Sequence, residues 1–327
     1  MTLIDDTPAG TWAVAPAGPQ DHSPIADFLA TTPGLAGRKF AADSRDVAEQ
    51  LDGAYPGATT VVHDAAGRVR GYATLHGPHG VEPELIADFV FAPDVPSPVV
   101  DGVVATIVDR FRREAPAVPG AYLRSFLGTD QQAAVDALTR LGARVEARFI
   151  RTRKPLDGED EAALAAAALD GITVLGWADV IARGLGEEVR QLQFDTFAEH
   201  FGNMSKTPEL WEHHLHSRLF APDFSLAAVD DTGAVVGYVL GSTYTYLGGA
   251  GTEERSAHTD YIGVRRDQRR HGLGDLLLRK VWLAALRRGL TLASLGTDIN
   301  NRSKAHLLYE RLGYVAVERS AAYRIDV

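Results

Sequence analysis

Tyr261-Ile262-Gly263-Val264-Arg265-Arg266-Asp267-Gln268-Arg269-Arg270-His271-Gly272-Leu273-Gly274 decides how this chain is read. A strand-like run ends in a basic loop with two glycines, and the loop opens a helical segment. There Leu273, Leu276, Leu277, Val281 and Ala284 recur on one face, with Asp275, Arg279 and Arg287 elsewhere. Such a junction is an anion site. The first backbone N–H groups of a helix lack intrahelical partners and carry the positive end of its dipole. Gly272 and Gly274 put no side chain between that backbone and a ligand, while Arg269 and Arg270 add charge. A pyrophosphate suits this arrangement. Two other phosphate loops do not fit: a dinucleotide fingerprint needs a third glycine where Leu277 stands, and a nucleoside-triphosphate loop needs Gly-Lys-Ser/Thr.

Outward from the loop, the second half reads as mixed α/β. Gly171–Leu175 is a strand, Glu187–Glu199 and Pro208–Leu219 are helices, and Leu226–Val229 pairs with Val235–Tyr244 about Asp230–Gly233. His258–Val264 and Leu292–Thr297 are further strands and Ser303–Leu312 a helix. Tyr314–Glu318 and Tyr323–Val327 read as two closing strands. The first half echoes the second. Asp64, Gly67, Val69, Gly71 and Tyr72 match Asp230, Gly233, Val235, Gly237 and Tyr238 at one constant spacing, and Leu141-Gly142 echoes Leu312-Gly313. Two echoes in one order point to duplication. Pro155–Glu161, rich in proline, glycine and acids and followed by an alanine-rich stretch to Ala168, reads as a linker with the boundary near residue 156.

At this point a resemblance is visible. Arg269-x-x-Gly272-x-Gly274 after a strand resembles the Arg/Gln-x-x-Gly-x-Gly/Ala motif of the GNAT (GCN5-related N-acetyltransferase) superfamily. Asn301-x-x-x-Ala305-x-x-Leu308-Tyr309-Glu310-Arg311-Leu312-Gly313-Tyr314 is similar to that family's second signature, in the expected order. The resemblance is close over about residues 220–327. It implies an α/β fold (mixed α+β sheets) of two tandem GNAT-like domains, 1–156 degenerate and without cofactor, 157–327 catalytic and binding acetyl-CoA. Backbone amides from Val264 through Gly274, including Arg270, His271 and Leu273, would hold the CoA pyrophosphate. A backbone N–H around Ile262, Gly263 and Val264, where the strand splays from its neighbour, would polarise the thioester carbonyl. Asn301 would fix the CoA arm, and Tyr309 would protonate the departing thiolate.

The chain has no cysteine, so an acetyl-cysteine intermediate is excluded and direct attack by the amine in a ternary complex is expected. The amine needs a base. Asp260 is preferred over His258, Glu253 and Glu254. Strict alternation puts His258, Asp260 and Ile262 on one strand face and Thr259, Tyr261 and Gly263 on the other. Within Phe197–Asn203, His200 and Phe201 are expected to line the acceptor pocket. His213, His214 and His216 show no clean pair one helical turn apart, so no metal is expected.

The first half lacks this machinery. Ile86–Phe91, aligned through Asp88 and Asp260, runs into Ala92-Pro93-Asp94-Val95-Pro96-Ser97-Pro98, whose prolines remove donors, and Leu138 stands opposite Tyr309. The net charge of −10 speaks against nucleic acid and mildly favours a cationic acceptor. The absence of a long apolar run or an export-type start leads us to expect no membrane span and a cytoplasmic protein. The expected acceptor is a primary amine of a small molecule. Because tandem halves with an active second copy also resemble mycothiol synthase, acetylation of a cysteinyl amine is one alternative. A non-catalytic acyl-CoA sensor is the alternative from another class.

Overall fold

The duplicated turn is built the same way in both halves. Asp64 Oδ1 accepts from the N–H groups of Ala66 and Arg68 at 2.9 and 3.0 Å, and Asp230 Oδ1 from those of Thr232 and Ala234 at 3.0 and 3.1 Å. Gly67 and Gly233 close these turns at φ of 74° and 85°, which an L side chain resists.

The computed structural model describes residues 2–3, 12–32, 43–78, 82–198, 200–247, 253–300 and 304–327. They fall into two units. Unit 1 comprises Met1–Arg148, Thr245–Glu253 and Arg319–Val327, and unit 2 comprises Phe149–Tyr244 and Glu254–Glu318. In chain order the first half forms β1 (Thr2–Leu3), β2 (Ala13–Pro16), α1 (His22–Thr31), α2 (Ser44–Leu51), β3 (Thr60–His63), β4 (Val69–His76), β5 (Glu84–Phe91), α3 (Ser97–Glu114), β6 (Tyr122–Gly128), α4 (Gln132–Arg140) and β7 (Arg144–Pro155). The second forms α5 (Glu161–Ala166), β8 (Ile172–Gly176), α6 (Trp177–Ala182), α7 (Gly186–Phe197), α8 (Pro208–His216), β9 (Leu226–Asp230), β10 (Val235–Leu247), β11 (Glu253–Val264), α9 (Leu273–Arg287), β12 (Leu292–Asp298), α10 (Ala305–Arg311) and β13 (Val315–Asp326).

Unit 1 carries strands in the order β1-β2-β3-β4-β5-β6-β13, antiparallel except for β5 and β6. Unit 2 carries β7-β12-β11-β10-β9-β8, antiparallel between β12 and β7 and parallel between β11 and β12. Each unit therefore takes its last strand from the other half of the sequence. Phe149–Pro155 pairs with Leu292–Asp298, and Ser320–Asp326 pairs with Tyr122–Gly128. This differs from the boundary expected near residue 156. The expected linker is also not free chain: Leu156 is fully buried in the core under α9, and Lys154 pairs with Glu159 at 2.7 Å. Tyr314–Glu318 and Tyr323–Val327 are not two strands but parts of one, β13.

Unit 2 buries side chains on both faces of its sheet. On one, Leu273, Leu276, Leu277, Leu278, Val281 and Trp282 of α9 pack over Ala257, Ala293 and Leu295, joined by Tyr309 and Tyr314. The 3.6-residue spacing of these apolar positions makes the helix and aims it. Gly289, at φ 72°, ends it, with Leu290 N–H donating to Ala285 O. On the other face α6, α7 and α8 place Trp177, Val189, Phe197 and Trp211 against Ala227, Val229, Tyr238 and Leu240. No helix among the described residues is long and apolar enough to cross a membrane.

Candidate active site

The loop after β11 is held from within. Arg265 N–H donates to Val236 O at 2.9 Å, Gln268 N–H to Arg265 O at 2.9 Å, and Arg269 Nε to Val264 O at 3.0 Å. Arg270 and Gly272 then adopt φ of 69° and 88°. The N–H groups of Arg270, Gly272, Leu273 and Gly274 make no main-chain hydrogen bond among the described residues. Arg269, Arg270, His271 and Gly272 are exposed, whereas Leu273 is buried and anchors the turn. The amides of Arg265, Gln268 and Arg269 are used inside the loop. Gly263 has a packing reason of its own: a Cβ there would collide with the Tyr238 ring and the Thr196 hydroxyl.

Beside this loop the sheet forks. The parallel register of β11 and β12 covers Ala257–Thr259 against Ala293–Leu295, although β11 runs on to Val264 and β12 to Asp298. Alternation along β11 also slips by one residue. Ala257 belongs to the α9 core, Tyr261 packs on the α7/α8 core, and Ile262 and Val264 return to the α9 side. His258 lies with Ser294 on the face opposite Ala257, and its Nε2 is 3.9 Å from Asp260 Oδ1. Asp260 and Tyr261 therefore point to the same face in succession, as at a β-bulge. The alternation expected from sequence fails here: Ile262 leaves the face of His258 and Asp260, because the extra residue turns the strand. A bulge beside a fork leaves main-chain groups without a ladder partner, which is what an oxyanion site requires.

Tyr309 stands on α10, 7% exposed, with its ring edge-on to Tyr314 at 6.0 Å. Burial pushes its phenol up to about 12. The Tyr314 hydroxyl accepts from Trp282 Nε1 at 2.9 Å. Gly274 faces α10 without crowding it: a Cβ there would make ordinary contact, 3.6 Å from Leu308. Asn301 lies outside the described residues.

On the α7/α8 face, His200 stacks on Phe197 at 4.1 Å and Phe201 meets Phe149 edge-on at 5.5 Å. Burial lowers the His200 pKa; the Asp298 carboxylate opposes this and Arg269 adds to it. The segment after them is pinned to α7. Gln193 donates to Met204 O and accepts from Lys206 N–H, Arg190 donates to Lys206 O, and the Ser205 hydroxyl donates to Phe194 O. Lys206 Nζ lies 4.8 Å over the Tyr261 ring, and His214 meets that ring edge-on. Glu254 pairs with Arg153. Sequence reading missed Lys206, Ser256 and Ser294. A usable signal existed for the two serines, which interrupt strands whose opposite positions are apolar.

Unit 1 repeats the fork and closes it. The β5/β6 register covers Glu84–Ile86 against Tyr122–Arg124 only. Gln131, 4% exposed, then fills the gap: its Oε1 accepts from Phe91 N–H at 3.0 Å and its Nε2 donates to Phe91 O at 3.1 Å. Ala92 N–H is spent on Arg70 O and Val95 N–H on Ala92 O, and α3 begins Ser97-Pro98 behind Pro96. Leu138 is buried.

Residues 187–314 match the family model described as acetyltransferase (GNAT) family. No curated protein matches the chain. A GCN5-related N-acetyltransferase from Sphaerobacter thermophilus is similar in structure, with TM-score 0.71 and 22% identity over 96% of this chain and 95% of that one. A tandem GNAT protein from the clavulanic acid biosynthesis pathway gives TM-score 0.65 at 19% identity, covering 96% and 98%. Saccharomyces cerevisiae N-myristoyltransferase, solved with bound myristoyl-CoA, gives 0.60 at 12%, covering 99% and 81%. Fold, order of elements and family match agree: residues 187–314 match the acetyltransferase (GNAT) family model, and the chain shares its fold with solved GNAT structures, a tandem GNAT protein among them.

Proposed function

We propose that unit 2 transfers an acetyl group from acetyl-CoA to the primary amine of a small molecule, by direct attack in a ternary complex. The reading is carried by the junction of a left-handed Gly272 turn, with its row of unengaged N–H groups, and a forked, bulged β11. A diphosphate needs several convergent donors free of side chains, and the turn has them. An extended thioester arm needs a gap between strands, and the fork is one. Arg269, Arg270 and His271 add favourable charge or polarity at the mouth.

In this reading the amine nitrogen bonds to the acetyl carbon and the C–S bond breaks. A backbone N–H of Ile262, Gly263 or Val264 stabilises the oxyanion, and Asp260 takes the amine proton. Tyr309 supports the departing sulfur. Burial raises the pKa of the Tyr309 phenol, which keeps it protonated and able to give the departing thiolate its proton. Asn301 keeps its proposed role on the CoA arm. His200 and Phe201, beside the pinned Lys206 segment, line the acceptor side. Unit 1 is proposed to be a degenerate domain without cofactor, its fork sealed by Gln131.

The test is calorimetric titration of acetyl-CoA followed by CoA release with a panel of small amines, cysteinyl amines included. Binding with turnover on at least one amine supports the proposal. Binding with no turnover on any would favour the sensor, and no binding would remove the loop assignment.

A further inference from the structure

At Gly263 a Cβ would lie 2.6 Å from Thr196 Oγ1 and 2.8 Å from Tyr238 Cζ, so only a bare Cα fits. On the neighbouring strand the crowding comes from the other side. A Cβ on Gly237 would meet Leu273 and Leu277 of α9 at 3.1 and 3.2 Å. A glycine inside a strand weakens it and marks a place where something must come close. Here the close neighbour is a pair of side chains tied to each other.

Tyr238 is fully buried in the core under α7 and α8. Its hydroxyl is 3.1 Å from Thr196 Oγ1, which lies 2.7 Å from Leu192 O, one turn back along α7. A carbonyl only accepts, and a hydroxyl has one proton to give. Thr196 therefore donates to Leu192 O and accepts from Tyr238. Burial holds the Tyr238 phenol well above its ordinary pKa, so the donated proton stays in place.

Unit 1 shows the same strand without this contact. Phe91 stands three residues after Asp88, as Gly263 stands three after Asp260. There β5 keeps an unbroken pairing with β4 from Ile86 to Phe91, and a Cβ on Gly71 would meet the Phe91 ring at 2.6 Å. The tyrosine recurs as Tyr72, but the glycine does not. In β11 the slip at Asp260 and Tyr261 turns residue 263 toward Tyr238 instead.

We propose that Tyr238 and Thr196 are positioning residues: tied together, they wedge against Gly263, hold β11 in its slipped course and set the direction of the N–H groups that polarise the thioester carbonyl. The purpose rests on the acyl-transfer reading; the wedge itself does not. Neither side chain touches a reactant. Aim matters because a misplacement of about 1 Å costs on the order of a hundredfold in rate.

The experiment uses the full chain and acetyl-CoA carrying ¹³C at the thioester carbonyl. Infrared difference spectra of the binary complex give the carbonyl band, and CoA release with an accepted amine gives kcat and KM. In wild type the band should lie below its position for acetyl-CoA in water. Tyr238→Phe keeps the ring and removes only the tie. It should move the band back toward the position in water and lower kcat about 10- to 100-fold, with KM for acetyl-CoA within twofold. Thr196→Val should do the same, and the double variant should be no worse than either, since both break one bond. Thr196→Ser, which keeps the hydroxyl, should match wild type. A wild-type band at the position in water, or a Tyr238→Phe variant with band and kcat unchanged, would overturn the wedge. Acetyl-CoA bound without turnover on any amine would count against the acyl-transfer reading alone, since the band in Tyr238→Phe still decides the wedge. No binding would overturn both. Should Tyr238→Phe not fold, Thr196→Val is read the same way.

Discussion

Gln131 binds both polar groups of Phe91, the last residue of β5, through its own carboxamide at 3.0 and 3.1 Å. One side chain thereby does for unit 1 what a strand-like ligand amide would do at an open fork. Calorimetry should find one acetyl-CoA bound per chain. Gln131→Ala should keep that stoichiometry, because the donors of the following loop remain spent or missing. It should cost about 2–4 kcal/mol in urea unfolding, since two buried main-chain groups lose their partners. A second bound equivalent in either protein would contradict a degenerate unit 1.

Gly272→Ala introduces no collision, its nearest neighbours being Leu169 carbons at 3.7 and 3.9 Å. It forces an L residue to φ 88°, for about 1–2 kcal/mol. Because the turn aims the loop donors, acetyl-CoA affinity should fall about tenfold, or 1.4 kcal/mol. Gly233→Ala, at φ 85° with nothing within 4 Å, should show the same loss of stability and unchanged affinity. Equal affinity in both variants would show that the turn does not serve the cofactor.

Tyr309→Phe should lower kcat about 10- to 100-fold (1.4–2.7 kcal/mol) with acetyl-CoA affinity within twofold. Tyr314→Phe is the contrast: Trp282 Nε1 loses its acceptor, so stability should fall by about 1–3 kcal/mol while turnover changes little. Stopped-flow release of CoA separates the two.

Tyr309 also predicts an alkaline weakness. Its phenol titrates near 12 in the folded chain against 10.0 as the reference. Between these values the unfolded state has lost a proton that the native state keeps, so stability is intact below pH 10 and falls as pH rises toward 12. The loss from this group is about 3 kcal/mol. Thermal melts from pH 8.5 to 11.5 should show a shallower decline in Tyr309→Phe than in wild type.

Local features of the site were legible in the sequence. The apolar spacing of α9 and the glycine turn at Gly272 appear where the residues predicted them, and so does the duplicated Asp–Gly turn, because each is governed by neighbours within a few positions. The one-residue slip at Asp260 and Tyr261 was not legible, since it depends on which core each side chain finds. Gln131 was missed because its partner lies 40 residues away. Strand exchange was missed for the same reason on a larger scale: Ser320 pairs with Gly128 and Pro155 with Leu292, and no local pattern records such partners.

That exchange changes what damage to the gene would mean. A premature stop after Glu318 would leave the acyltransfer half nearly complete, yet strip β6 of its neighbour and unzip the opposite half first. Splitting the gene at codon 156 would yield two fragments, each missing the edge it needs and holding the edge the other needs. Co-expressed, such fragments should find each other by complementation; produced singly, each would expose a raw strand to aggregation.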